Sequence, residues 1–181
     1  MFMKKVILCA VFLIVSLFFA GNASAARLSE ELTKLLESHQ VNCWVEGEIM
    51  GDLILGARGS IQFIYLDEPM SLAIREDKKL APWVDDINQY YGSPGTAGKA
   101  LFVVQIQSNK PWDVEISKFK VGNYNPKIED VLTPSWRNPI GSLQSGEKGQ
   151  FAFVVPKSEL KKGKEIEIGY DKDILKWSVP K

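Results

Sequence analysis

What this sequence lacks narrows it first. Of its 181 residues only two are cysteine and one is histidine. Cys9 lies inside an N-terminal apolar run, so the body of the chain carries a single thiol, Cys43, and can form no internal disulfide. Stability has to come from a packed core. The lone histidine, His39, restricts Ser-His-Asp, Cys-His and multi-histidine zinc arrangements to that one position. Its plain reading is a solvated or a cap-region side chain just past the first helix, and with nearby Cys43 it makes only a weak metal or nucleophile pattern. A phosphate-cradling glycine loop and a dinucleotide fingerprint are missing too. Gly51 to Gly59 has glycines without the spacing, and the second half has no βαβ alternation. No cofactor, metal site or catalytic set is assigned.

A surplus of positive charge is also lacking, because 22 Lys+Arg face 22 Asp+Glu. Taking away Lys4 and Lys5 with the leader described below leaves 20 against 22, near minus two. The remaining charges are interspersed, apart from short clusters such as Lys161-Lys162. That excludes the basic footprint of nucleic-acid binding and describes an ordinary solvated surface.

Long apolar runs are confined to the N-terminus. Lys4 and Lys5 precede the run Val6 to Ala20, which only Ser16 interrupts, and Ala23-Ser24-Ala25 supplies small residues for cleavage. These are the three parts of a secretory signal peptide, residues 1–25, in order. At 15 residues the run is shorter than the roughly 20 a membrane-spanning helix needs, so no stable span is expected after cleavage. Cys9, near the start of the run behind Ile7 and Leu8, is misplaced for lipid attachment. The mature part, residues 26–181, is expected to act outside the cytoplasm, in the periplasm or secreted. About 155 residues are enough for a core without staples, since folding at that size buries about 68–70% of the accessible surface. Cys43 beside Trp44 then reads as a packing residue, with an intermolecular disulfide as the alternative.

Leu28, Leu32, Leu35 and Leu36 mark one helical face, with Ser29 as candidate N-cap. From Trp44 the pattern turns to strands punctuated by Gly47, Gly51, Gly56 and Gly59. Ser60 to Leu66 is apolar on both faces and predicts a central strand. Pro82, then Trp83, Val84, Ile87, Tyr90 and Tyr91, with Gly92 as stop, predict one helical excursion. The segment 92–98, rich in glycine and small residues, is a candidate internal boundary at 92–99, although a single domain is preferred on size. Beyond it, Phe102, Val104 and Ile106 alternate with Val103, Gln105 and Gln107. Ser108 to Pro111 then turn into Trp112, Val114 and Ile116, which predicts a hairpin. The apolar phase slips by one before Phe119 and Val121, predicting a bulge or bend at Ser117-Lys118. Three further strands are read at Phe151 to Val155, Ile166 to Tyr170 and Leu175 to Val179. Glu165, Glu167, Lys176 and Ser178 are their solvent-facing partners.

The expected class is therefore mainly β, an antiparallel β-sandwich with a short N-terminal helix. The stretch from about Lys99 to Pro180 resembles the immunoglobulin-like domains of unknown function found in exported bacterial proteins. It does so through Gln105-Ile106-Gln107-Ser108-Asn109, Leu143 with Ser145-Gly146 before Gly149, Phe151 to Pro156, and Tyr170 before Trp177. It departs from that pattern where Ser145-Gly146 stands in place of a Pro-Gly pair. The resemblance implies an immunoglobulin-like sandwich serving as a binding or assembly module, and it carries no catalytic residue with it.

Two function classes follow. In the first, loop aromatics at one end of the sandwich anchor a protein or a cell-envelope component. Trp112 at the hairpin turn, Tyr124 in Gly122 to Pro126, and Trp136-Arg137 between two prolines are the candidates, the last pair suited to stacking or carboxylate capture. The plainer reading is that each ring caps an end of the sandwich core, since tryptophan is highly buried on average. In the second, a hydrolase assembles carboxylates in three dimensions from Asp67-Glu68, Asp85-Asp86 and Asp171 with Asp173, pairs that could also hold calcium. The more ordinary role of each pair is to cap a turn or solvate a face.

Overall fold

The structure, a computed structural model, describes residues 30–76 and 88–181. The expected leader, Leu28, Ser29, Trp83, Val84, Ile87 and the Asp85-Asp86 pair lie outside the described residues.

The chain enters through helix α1 (Glu30–His39), which buries Leu32 and Leu36 on one face and carries Glu30 and Glu31 in its first turn. Acidic residues there complement the positive end of the helix dipole. From His39 the chain passes directly into β1 (Gln40–Val45). That is earlier than the start expected at Trp44, because the polar Gln40 and Asn42 hide the alternation. Gln40 is held by a side-chain bond from Gln62 Nε2 at 3.0 Å. A short ribbon follows, β2 (Glu48–Met50) and β3 (Leu53–Leu55), before β4 (Gly59–Leu66).

Helix α2 (Glu68–Glu76) comes next, and no sequence expectation covered it. Asp67 starts it, accepting the Met70 N–H on Oδ1 at 3.1 Å, with Pro69 in the first turn. Met70, Ala73 and Ile74 then form its buried stripe. Of the expected excursion, only Asn88 to Gly92 is described. Tyr90 and Tyr91 pack partly against the helical side of the molecule, and Gly92 leaves the turn at φ +76°. The glycine-rich segment after it is ordered by a 3-10 turn, Pro94–Thr96, with Thr96 Oγ1 donating to the Ser93 carbonyl at 2.8 Å.

The second half supplies β5 (Lys99–Ser108), β6 (Trp112–Val114), β7 (Phe119–Val121), β8 (Gly141–Leu143), β9 (Lys148–Pro156), β10 (Glu165–Tyr170) and β11 (Asp173–Ser178). The chain is thus mainly β, and all its named strand pairs are antiparallel. One sheet runs β1-β4-β5-β9 and another β11-β10-β7, with two-stranded ribbons β2-β3 and β6-β8. β4 is interior to its sheet, as its two apolar faces predict.

One expected connection is corrected, and the bend expected at Ser117-Lys118 is found as a 3-10 turn. β5 and β6 form no hairpin, since β5 pairs with β4 and β9 while β6 pairs with β8. Asn109 and Lys110 donate their N–H groups to the Arg58 carbonyl, at 2.7 and 3.0 Å, which turns the chain out of the sheet before Pro111. The phase slip at Ser117-Lys118 is a 3-10 turn, Ile116–Lys118, that carries the chain from β6 to β7 in another sheet.

Alternation along the shared strands builds two cores. Ile61, Phe63, Phe102, Val104, Ile106, Phe151, Phe153 and Val155 point to one side, where they meet Phe119, Val121, Ile168, Tyr170 and Trp177 of the three-stranded sheet. Ile64, Leu66, Leu101, Val103, Ala152 and Val154 point to the other, where Leu32, Leu36, Met70, Ala73 and Ile74 of the helices cover them. Phe119 sits at the middle of the first core, with Phe63, Phe151, Phe153 and Tyr170 ring centroids 5.0 to 6.0 Å away. A buried ring of this size contributes about 1.5–3 kcal/mol by burial alone, so this cluster answers the missing disulfide.

Candidate functional site

The sequence offered Trp112, Tyr124, Trp136 and Arg137 as contact residues, and the structure separates them. Trp112 is 6% exposed. Its ring stands edge-on to Tyr170 at 5.3 Å, and it lies so close to Gly59 that a Cβ there would come 2.9 Å from Cζ3. It closes the core and offers no ring face to a partner.

Tyr124 is half-buried and tied by its hydroxyl, which donates to Asp130 Oδ2 at 2.7 Å. That bond to a carboxylate, with burial and the charges of Asp130 and Glu129, raises the phenol above its ordinary value. Burial acts to raise the Asp130 carboxyl, but bonds from Tyr124 and from the Lys127 N–H, with Lys99 at 3.5 Å, hold it below the ordinary value. Lys99 begins β5, whereas Trp112 packs on Gly59, which pairs with Ser108 at the far end of β5. The two sites thus lie toward opposite ends of β5. They do not make one surface.

Trp136 is different. It is 80% exposed, and the Arg137 guanidinium lies over its ring, 5.6 Å from the centroid. The loop that carries both is fastened at each end. Val131 bridges to Phe153, the Leu132 N–H donates to the Ala152 carbonyl at 2.8 Å, and Thr133 Oγ1 accepts the Ala152 N–H at 2.9 Å. On the far side Pro139 sits against Gly149. Between these anchors the Pro134 carbonyl accepts from the N–H groups of Arg137 and Asn138, at 2.9 and 3.1 Å, and Asn138 Nδ2 donates to the Thr133 carbonyl at 3.2 Å. The loop both covers the outer edge of β9 and presents the indole from a fixed base.

His39 ends α1, as its cap-region reading had it, but it is buried, not solvated. Its Nε2 is 3.1 Å from Asp67 Oδ2, and its Nδ1 is 2.8 Å from the Leu35 carbonyl and 2.9 Å from Ser38 Oγ. A ring with both nitrogens engaged leaves neither to face a substrate. Burial pushes the Asp67 carboxyl upward, but the His39 and Met70 hydrogen bonds and the charges of His39 and Lys162 outweigh it and hold it below the ordinary value. Tyr65, whose ring stacks on His39, has its phenol pushed up to about 12 by burial and by Asp67 and Tyr91.

Cys43 is likewise structural in its setting. Its thiol donates to the Asp173 carbonyl at 3.1 Å, and burial, with the Asp173 charge, pushes it up to about 12. A neutral, buried thiol is neither nucleophile nor bridging partner. In the described carboxylate pairs, Asp67 caps α2 and bonds His39, and Asp173 Oδ2 accepts the Glu46 N–H at 2.9 Å. Asp171 holds the β10–β11 turn at φ +53°. Among the described residues no group of three or more His, Cys, Asp or Glu is placed to hold a metal ion, and no helix is long and apolar enough to cross a membrane.

Sequence reasoning read glycine-punctuated strands here but missed that the β2-β3 ribbon exposes its apolar side chains. Ile49, Met50, Leu53 and Leu55 stand 47% to 68% exposed on it. The available signal was Gly51-Asp52 between two short apolar runs, since a glycine at the first central position, here at φ +61°, suits a two-residue hairpin turn. Compared with family models, characterised proteins and solved structures, the chain shows no match.

Proposed function

We propose that this chain is an exported, non-catalytic binding or assembly module of the cell envelope, built as an immunoglobulin-like antiparallel β-sandwich with a helical layer on one outer face. Its partner is a protein or another envelope component, and the contact is made by Trp136 with Arg137. The observation that carries the reading is a tryptophan left 80% in solvent, with a guanidinium over its face, on a loop fastened to β9. Tryptophan and arginine dominate the energetics of protein contacts, and a ring held in place before binding loses little entropy on binding. The leader read from residues 1–25 fits a protein working outside the cytoplasm. The helical layer over the four-stranded sheet departs from a plain sandwich, and it leaves loops and edges as the surfaces open to a partner.

The test is crosslinking in the producing cells followed by mass spectrometry of what the tagged chain captures. Trp136→Ala and Arg137→Ala are expected to abolish capture while leaving the melting temperature nearly unchanged, since Trp136 adds nothing to either core. Capture equal to the wild type in both variants would sink the assignment of this loop.

A further inference from the structure

Four of the eight large apolar side chains that stand most exposed among the described residues lie on one ribbon, β2-β3. Among the described residues its strands pair only with each other. An isolated two-stranded hairpin is marginal in water, and apolar side chains on a free edge invite another chain. Elsewhere that hazard is managed, because residues 131 to 133 cover the outer edge of β9. The edge of β3 reads Leu53-Ile54-Leu55, with no charge or proline of its own and a lysine, Lys110, only at the Gly56 carbonyl beyond its end.

Register sorts the two faces of the ribbon. Glu48 is opposite Leu55, Ile49 opposite Ile54, and Met50 opposite Leu53. Directly opposed residues point the same way, so Met50, Leu53 and Leu55 share one face with Glu48 while Ile49 and Ile54 share the other. Ile54 leans toward the body, since a Cβ on Gly47 would lie 3.0 Å from its Cγ2. Ile49 on that same face stands 68% exposed, so the ribbon touches the body only at Ile54 and leaves the Met50, Leu53 and Leu55 face outward.

We propose that the β3 edge is a self-association surface, on which β3 of a second copy pairs antiparallel about a two-fold axis at Ile54. Leu53 then lies opposite the second copy's Leu55, and two Met50-Leu53-Leu55 faces join into one apolar surface on a four-stranded sheet. The same register sets Asp52 opposite the second copy's Gly56. Lys110 marks that position, because its Nζ donates to the Gly56 carbonyl at 2.7 Å. Each Asp52 carboxylate thus meets a Lys110 ammonium across the axis, twice by symmetry, and no like charges face each other along β3. A bilayer fits the ribbon less well. Asp52 at its tip and Glu48 on its apolar face would have to enter without a cation. The contact is small, below about 1,200 Å² of buried surface, which places the dimer in the weak, micromolar class. It uses a different surface from the Trp136 loop, so either can fail without the other.

Sedimentation velocity of the purified chain over about 1 to 100 μM tests this, a range that brackets a micromolar equilibrium. A monomer–dimer equilibrium is expected for the wild type. Leu53→Lys with Leu55→Lys, at exposed positions, is expected to weaken dimerisation by about tenfold or more with an unchanged melting temperature. Asp52→Lys and Lys110→Asp should each weaken it, and the double reversal should restore it, which only this register requires. A chain that stays monomeric throughout the range would overturn the proposal. So would a dimer indifferent to the lysines on β3, or charge reversals that fail to rescue one another. Leucine-dependent sedimentation with phosphatidylglycerol vesicles would overturn it in favour of a bilayer.

Discussion

At the scale of single residues, the described polar groups that sequence reading offered as chemistry work as fasteners. Asp67 caps α2 through the Met70 N–H and reaches back to His39 at the end of α1, so one carboxylate joins two helices. Removing it takes away the cap and leaves a buried imidazole without its partner. Asp67→Ala is expected to cost about 1–3 kcal/mol at neutral pH. The pH dependence has a definite sign. Asp67 and Asp130 both titrate below the ordinary carboxylate value of 3.8 in the folded chain. Their contribution to stability is therefore complete above that value and is lost as pH falls through the folded values. Melting temperatures recorded between neutral pH and about pH 2 should drop in the acid range, and drop less for Asp67→Ala, whose unfolded and folded states differ by one fewer shifted group. Parallel curves for the two proteins would refute the assignment.

Elements show why some of this was legible in the sequence and some was not. β9, β10 and β11 were readable because period-two alternation is a local property, visible in Phe151-Phe153-Val155 or Ile166-Ile168-Tyr170 without knowledge of neighbours. Pairing is not local. Phe102 to Ile106 and Trp112 to Ile116 look like two arms of a hairpin, yet bonds to Arg58, far back in the chain, send β6 to another sheet. Trp112 illustrates the same limit at the candidate site. Beside a turn its ring can serve as anchor or as cap, and Gly59, remote in sequence, decides for the cap. Trp136 stood out because no alternating strand surrounds it. Its fixed base could not be read, since it depends on Pro139 meeting Gly149. A Cβ at Gly149 would overlap Pro139, so Gly149→Ala is expected to cost about 1–3 kcal/mol and loosen the loop from β9. Hydrogen exchange at the Leu132 and Ala152 amides, both bonded across that edge, should quicken in the variant. Unchanged exchange and stability would show that the loop is held by something other than this packing.

For the molecule as a whole, the central fact is that a single sheet serves two cores. β1 and β4 precede the glycine-rich segment at 92–98 and β5 and β9 follow it, yet β4 pairs with β5 along its whole length. Leu101 and Val103 face the helices while Phe102 and Val104, from the same strand, face the other sheet. Loosening the helical side should therefore loosen β5 and with it the far core, so the chain is expected to unfold as one cooperative unit. Met70 is the residue to cut, because it is fully buried on α2 and belongs to the core between the helices and the sheet. Met70→Ala should cost about 2–5 kcal/mol. The reporter for the far core is Cys43, the one cysteine outside the N-terminal apolar run, whose thiol lies under β11 against the Asp173 carbonyl. If the unit is cooperative, the denaturant midpoint read from helical circular dichroism and that read from Cys43 labelling fall together in the variant. If the helical signal is lost while Cys43 stays protected, the helices are a detachable layer, and the β core beneath them stands alone with the outer face of its four-stranded sheet open to another partner.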